Sequence, residues 1–108
     1  MTNFLSTSQP NTVSGQRLRL AAIEEAMRDV ERKMNVDRDA TATQIDKLYH
    51  ELGDRHRVAD FTPEAAQASQ AVTFSHIQNL QRASGERMRA YQDQLRQLQD
   101  EKRRLERR

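Results

Sequence analysis

The sequence predicts an all-α fold, an antiparallel hairpin of two long coiled-coil-like helices that assembles into a larger helical bundle. Three observations favour it. The composition is typical of exposed helices, with 35% hydrophobic and 31% charged residues, three phenylalanines, two tyrosines and no tryptophan. Apolar residues recur at alternating three- and four-residue steps in two separate stretches. The polar segment between these stretches is short enough to reverse the chain.

The first helix is predicted over residues 15–52. Its seam, the row of side chains that faces a neighbouring helix, has regular coiled-coil spacing up to residue 34 and resumes eleven residues later. The stretch 35–43 between the two parts contains no glycine or proline, so we expect one continuous helix. Gly53 is predicted to end it. The seam consists of Leu20, Ile23, Met27, Val30, Met34, Ile45, Leu48 and Leu52.

The second helix is predicted over residues 63–107, after a turn at 53–62. Thr62 suits the N-cap, Pro63 the first helical position and Glu64 the first turn, while Phe61 is placed to staple back onto the helix. Residues 1–14 are polar and uncharged, which predicts a flexible tail before the hairpin of residues 15–108. The predicted second seam contains Phe74, Ile77, Gln81, Ser84, Met88, Tyr91, Leu95, Leu98, Lys102 and Leu105.

The predicted turn also implies a pairing of the two helices. Folding the chain near residue 58 places Phe74 opposite residues 40–44 and Met88 opposite residues 28–29. This pairing sets the bulkiest residue of the second helix against small alanine and threonine side chains. A coiled-coil seam repeats every seven residues, so the pairing can also slide by one heptad.

The sequence argues against catalysis and cofactors. Three scattered glycines form no phosphate-binding loop, no histidines or carboxylates have metal-ligand spacing, and a two-helix hairpin offers no cleft for a nucleophile and its base. We therefore expect a protein that is not an enzyme and that binds no cofactor and no metal. No apolar run has the length of a membrane span and residues 1–13 do not resemble a secretory signal, so a cytoplasmic location is expected, with signal-independent secretion as an alternative.

A protein partner or a second copy is predicted to bind the second helix. Residues 65–81 contain no Asp, Glu, Lys or Arg, which is unusual in so charged a chain. In the predicted heptad, Phe74 lies in the seam and Leu80 on its flank, so a charge at residue 80 should affect binding more than folding. The predicted partner contacts are Val72, Phe74, Ile77, Leu80, Met88, Tyr91, Leu95 and Leu98.

Two functional classes follow. The leading one is a non-catalytic interaction module, such as a secretion-type chaperone, adaptor or assembly factor that binds a partner helix along its seam. The alternative is a nucleic-acid-associated accessory protein that uses the arginine-rich end of the second helix, although acids dilute this patch and no recognised nucleic-acid motif accompanies it. Its predicted anion contacts are Lys102, Arg103, Arg104, Arg107 and Arg108.

The charged hairpin and polar N-terminus resemble the chaperones and stalk proteins of bacterial type III secretion and flagellar export, which implies a non-catalytic role in protein export. No motif is shared residue by residue. The small hairpin proteins of type VII secretion are similar in length but carry a Trp-x-Gly motif at the turn. This chain has Leu52-Gly53 there and no tryptophan, so it is not assigned to that family.

Overall fold

The computed structural model describes residues 13–57 and 62–107, and these ranges contain two α-helices and no strand. Helix α1 spans Val13–His56 and helix α2 spans Pro63–Glu106. The all-α helical hairpin is therefore confirmed. Contacts divide the described residues into a terminal unit, residues 13–33 and 90–107, and a turn-side unit, residues 34–57 and 62–89. Neither helix contains a stretch apolar enough to cross a membrane, as far as the described residues extend.

Helix α2 begins where the sequence predicts. The backbone N–H of Ala65 donates to the Thr62 hydroxyl oxygen at 3.1 Å, which is the N-cap bond. The Ala66 N–H donates to the Thr62 carbonyl at 2.8 Å and closes the first helical turn. Pro63 takes the first helical position, where its missing N–H costs nothing. The predicted staple by Phe61 lies outside the described residues, and so do residues 1–12 of the predicted tail. The last two residues assigned to the tail, Val13 and Ser14, belong to α1.

Helix α1 does not stop at Gly53, and the predicted end at residue 52 is wrong. The helix continues to His56, and Gly53 has no positive φ. Two contacts stabilise the added turn: Glu51 pairs with Arg55 across the glycine at 3.9 Å, and Arg55 donates to the Ser69 hydroxyl of α2 at 3.2 Å. A glycine inside a helix costs only about 0.5–1 kcal/mol. The two contacts act against that small cost, and the helix passes through the glycine.

The continuity of α1 through residues 35–43 is confirmed. In this stretch Asp37 and Thr41 occupy the inward positions, and Thr41 is buried. From Met34 to Ile45, the inward residues are therefore separated by steps of three, four and four residues. This eleven-residue spacing is the stutter that lets the seam resume without a break. The apolar pattern lapses because the inward residues here are polar. The helix itself is continuous.

The pairing of the helices is antiparallel, but it lies about one heptad from the predicted register. In the turn-side unit, Arg55 contacts Ser69, Tyr49 contacts Phe74 and Asp37 contacts Arg87. Phe74 therefore faces Tyr49 and not residues 40–44. The added turn of α1 beyond Gly53 moves the point of reversal further along the chain, and this displaces every pair in the same direction.

The shifted seam also changes which residues of α2 are inward. Ile77 is buried to 4% exposure, as predicted, but Thr73 is buried beside it in place of Phe74. Leu80 is half-buried, whereas Gln81 is exposed. Residues three and four positions from Ile77 are both compatible with a helical repeat, so the sequence pattern alone permits either choice. Packing against α1 selects Thr73 and Leu80, and the predicted assignment of Phe74 to the centre and Leu80 to the flank is wrong.

The observed partial burial of Leu80 and exposure of Phe74 predict unequal losses of stability from two charge substitutions. Leu80→Glu places a carboxylate against the seam and should lower the free energy of unfolding by about 2–3 kcal/mol. Phe74→Glu, on the exposed flank, should lower it by less than about 1 kcal/mol. Urea denaturation at low protein concentration, where chain association contributes least, measures both values. A larger loss from Phe74→Glu than from Leu80→Glu would restore the original heptad.

Gly53 has space around it for a side chain. A Cβ at this position meets no atom within 4 Å, so Gly53→Ala should extend helical propensity without a clash and stabilise the protein by about 0.5–1 kcal/mol. Gly85→Ala is the matched control, because its Cβ would lie at an ordinary 3.9 Å from Arg89 Nη2. If Gly53→Ala destabilises the chain in thermal unfolding while Gly85→Ala does not, Gly53 ends a helix after all.

Candidate protein-binding surface

The eight predicted partner contacts occupy two different environments. Val72 is 69% exposed and Phe74 is 43% exposed. The other six point toward α1 within their own units and are buried or half-buried, so they hold the hairpin together: Ile77, Leu80, Met88, Tyr91, Leu95 and Leu98. Their role as contacts for a partner stays a prediction. Val72 and Phe74 are the members of the set that the folded hairpin presents to its surroundings.

Phe74 forms an aromatic pair with Tyr49 on one edge of the turn-side unit. The ring centroids are 6.3 Å apart and the planes are inclined at 62°, an edge-to-face arrangement. Aromatic pairs prefer this geometry because the positive ring edge meets the negative ring face. Tyr49 is 50% exposed. Half of each ring thus remains accessible, and the pair offers an apolar surface whose orientation is already fixed by a contact between the two helices.

Glutamines surround the exposed face of Phe74. Gln67, Gln70, Gln78 and Gln81 are all exposed, and each lies four or seven residues from Phe74. These steps return to the same side of an α-helix, so the five side chains form one row along α2. We call this row the Phe74 stripe. It combines one large aromatic ring with uncharged amides, each of which can donate and accept hydrogen bonds.

Val72 does not belong to the Phe74 stripe. Two residues along an α-helix correspond to about 200° of rotation, so Val72 and Phe74 point to opposite sides of α2. Ala68 and His76, four residues before and after Val72, are exposed on its own side. The predicted single binding face at residues 65–81 is therefore two faces. One is aromatic and amide-rich, and the other combines one valine with small side chains and the imidazole of His76.

A polar cluster inside the turn-side unit sets the alignment of α2 against α1. Arg87 donates to both carboxylate oxygens of Asp37, from Nε at 2.5 Å and from Nη2 at 2.8 Å. Its Nη2 also reaches the Thr41 hydroxyl at 3.5 Å, and that hydroxyl donates to Asp37 at 3.4 Å. The Asp37 side chain is only 13% exposed. The bidentate geometry is specific to one alignment of the helices.

The same cluster alters the acidity of Asp37. Hydrogen bonds from the Arg87 guanidinium hold the pKa of the Asp37 carboxyl below its ordinary value, and they outweigh the partial burial that raises it. The positive charge of Arg87 and the Thr41 hydroxyl lower this pKa further. Asp37 therefore stays ionised inside the seam over the neutral range. The sequence signal for this cluster is the lapse in the apolar pattern at residues 35–43, where polar residues take the seam positions.

The C-terminal arginines form a separate surface on the terminal unit. Asp100, Arg103, Arg104 and Arg107 line an open depression of about 360 Å³. Arg103 pairs with Asp100 at 3.5 Å, and Arg104 donates from Nε to the Asp100 carbonyl at 3.4 Å. Lys102 lies apart from this group and pairs with Glu24 of α1 at 3.4 Å. Arg108 lies outside the described residues. The depression is basic, although one aspartate partly neutralises it.

The geometry defines a two-helix antiparallel hairpin with an exposed uncharged surface on α2. Comparison with protein families, curated proteins and solved structures finds no match for this chain. Within the described ranges, no three histidine or acidic side chains are grouped so as to hold a metal ion.

The Asp37–Arg87 contact predicts how stability depends on pH. Because the folded-state pKa of Asp37 is lowered, its stabilising effect is fully present above the ordinary carboxylate pKa of about 4 and is lost as pH falls through the lower folded value. Asp37→Asn should therefore destabilise the protein at neutral pH, and its difference from the wild-type chain should shrink as the solution is acidified below about pH 4. Urea midpoints at each pH measure this.

Asp39→Asn supplies the control, because Asp39 is an exposed carboxylate on the same helix. It should change the urea midpoint little at any pH. Arg87→Gln should reproduce the loss at neutral pH, and the double variant should lose less than the two single losses together, since both remove one interaction. Additive losses would show that Asp37 and Arg87 do not interact.

Proposed function

We propose that this protein is a non-catalytic protein–protein interaction module, of the adaptor, secretion-chaperone or assembly-factor type. It binds a helix of a protein partner on the uncharged segment of α2, residues 65–81. The observation that carries the proposal is the half-exposed aromatic pair of Tyr49 and Phe74. Aromatic residues are enriched where protein surfaces meet, because they bury a large area with little loss of side-chain freedom.

The distribution of charge supports this choice of surface. Elsewhere the outward residues of both helices form ion pairs within a helix, such as Arg28 with Glu25 and Arg96 with Asp93. Such exposed pairs keep a helix surface hydrated and are worth little stability, about 0–1 kcal/mol each. Residues 65–81 have none of these charges. A partner that covers this segment desolvates amides, alanines and two apolar side chains, and it leaves the charged surfaces in water.

The proposal differs from the expected mode of binding along the seam. Seam residues such as Ile77 are already packed between α1 and α2, so a partner that used them would have to separate the helices. Val72 and Phe74 need no such change. We therefore propose that a partner docks on the outside of the hairpin, where association does not compete with folding.

A nucleic-acid-associated function remains the second candidate, and the depression lined by Arg103, Arg104 and Arg107 favours it. Arginine is well suited to phosphate because its planar guanidinium donates two parallel hydrogen bonds. The nearby Asp100 opposes this use, since it already accepts contacts from two of these arginines.

Site-specific photo-crosslinking separates the two candidates. A photoreactive phenylalanine analogue is placed at Val72, Phe74 or Arg103 of the full chain in cells that express it. Protein adducts should form from residue 72 or 74 and be scarce from residue 103. Arg96, which is exposed on the same helix, supplies a control position outside the uncharged segment. Nuclease-sensitive adducts from residue 103, with none from residues 72 and 74, would favour nucleic-acid binding and reject the proposal.

Salt dependence gives an independent check on the recovered complex. Three phosphate contacts should weaken binding by roughly 10²- to 10³-fold for a tenfold rise in salt, because condensed counterions are released. Binding through an uncharged surface should change much less than this. A steep loss of the complex formed at residue 72 or 74 would count against the uncharged segment as the docking site.

A further inference from the structure

The Phe74 stripe is symmetrical about its own centre. Gln70 and Gln78 lie four residues before and after Phe74, and Gln67 and Gln81 lie seven residues before and after it. The row therefore has the same residue types in the same order when α2 is traversed in either direction. Such a row is complementary to an antiparallel copy of itself. If residue 70 of the first chain lies opposite residue 78 of the second, then residue 78 of the first also lies opposite residue 70 of the second.

The charges at the two ends of the uncharged segment follow this arrangement to within two residues, since Glu64 lies ten residues before Phe74 and Arg82 eight residues after it. Glu64 precedes the segment and Arg82 follows it. They are eighteen residues apart, which corresponds to five turns at about 3.6 residues per turn, so they lie on the same side of α2. Both side chains are exposed, and neither forms an ion pair within the described ranges. An antiparallel copy brings Glu64 close to Arg82 of the second chain, whereas a parallel copy sets like charges together.

We infer that the Phe74 stripe is a self-association surface, and that its occupant is the same stripe of a second copy of this chain, related by a two-fold axis close to Phe74. This inference rests on the proposed interaction function and names one partner for it. Helix α2 of one chain packs antiparallel to α2 of the other.

Each element of the stripe has a role in this dimer. The two Phe74 rings meet at the axis, beside the Tyr49 rings that already pack against them. On either side, Gln70 faces Gln78 of the other chain and Gln67 faces Gln81, and paired amides satisfy one another as donor and acceptor. At both ends Glu64 lies near Arg82 of the other chain, offset by two residues or about 3 Å along the helix, which long charged side chains can span. Opposite charges fix the antiparallel direction, since the parallel arrangement is repulsive.

The dimer also leaves a surface free for another protein. Val72 points to the side of α2 opposite Phe74 and is 69% exposed. Self-association through the Phe74 stripe therefore does not cover the Val72 face. Each chain of such a dimer uses its Phe74 stripe to bind the other copy. Its Val72 face stays available to a different partner.

Charge reversal tests the inference directly. Sedimentation equilibrium of the full chain across a micromolar range should show a monomer–dimer equilibrium. Arg82→Glu and Glu64→Arg should each raise the dimer dissociation constant by roughly tenfold, because two symmetry-related charge pairs become repulsive. The double variant Glu64→Arg with Arg82→Glu should return the constant to within about threefold of the original value, since it restores both pairs with their signs exchanged.

Substitutions at the centre of the stripe provide the matched control. Phe74→Glu should raise the dissociation constant by at least about tenfold. Val72→Glu, an equally drastic change at an exposed residue of the same segment, should leave it unchanged. Circular dichroism on each variant verifies that the helices remain folded. Equal effects of Phe74→Glu and Val72→Glu, or a double charge variant that does not recover, would overturn the inference.

A cysteine provides a measurement that does not depend on affinity. The native chain has no cysteine, and a residue on a two-fold axis faces its own copy. Phe74→Cys should therefore form a disulfide-linked dimer under mild oxidation, and Val72→Cys should not. A wild-type chain that is monomeric across the micromolar range, together with no preferential cross-linking at residue 74, overturns the dimer.

Failure of the dimer and failure of the proposed function give different results. A monomeric chain whose residue 72 or 74 crosslinks to another protein overturns the dimer and leaves the interaction function standing. A dimer that passes the charge-reversal test, but forms no adduct with any other protein, supports self-association and rejects the binding of a different partner.

Discussion

The bidentate contact of Arg87 with Asp37 determines which residues of the two helices face each other in the turn-side unit. The apolar seam repeats every heptad and so permits several alignments of similar burial. A charged pair inside the seam removes this freedom, because any other alignment leaves Asp37 partly buried without its guanidinium. Breaking such a pair costs more than the pair itself contributes, so its main effect is on the register. Thr41 adds a hydroxyl to the same cluster.

The register in turn decides what the surface presents. With Asp37 against Arg87, Tyr49 lies beside Phe74 at the edge of the turn-side unit. A shift by one heptad would bring Phe74 to the alanines and threonines of residues 40–44 and leave Tyr49 without this neighbour. The exposed position of the aromatic pair and of the glutamines around it therefore follows from a polar contact that lies more than three turns away along each helix. Structure and candidate function are linked through this one alignment.

The core itself is thin, which explains why a polar contact has so much influence. Within residues 13–57 and 62–107, the buried apolar residues are Ile23, Val30, Leu52, Ile77 and Leu105, and they are spread along two long helices. No large side chain of the described residues is completely enclosed. With few apolar contacts per turn, competing alignments differ little in hydrophobic free energy. The Asp37–Arg87 pair, whose carboxylate is mostly buried, then decides between them in the turn-side unit.

The sequence by itself determined the helices, their order, the start of α2 at Thr62 and the uncharged segment 65–81, because these follow from local spacing and capping chemistry. Only the tertiary structure decided the register, the passage of α1 through Gly53 and the burial of Thr73 in place of Phe74. Each of these depends on contacts between residues far apart in the chain. A helical repeat specifies the side of a helix only to within one residue, so packing against the second helix made the final choice.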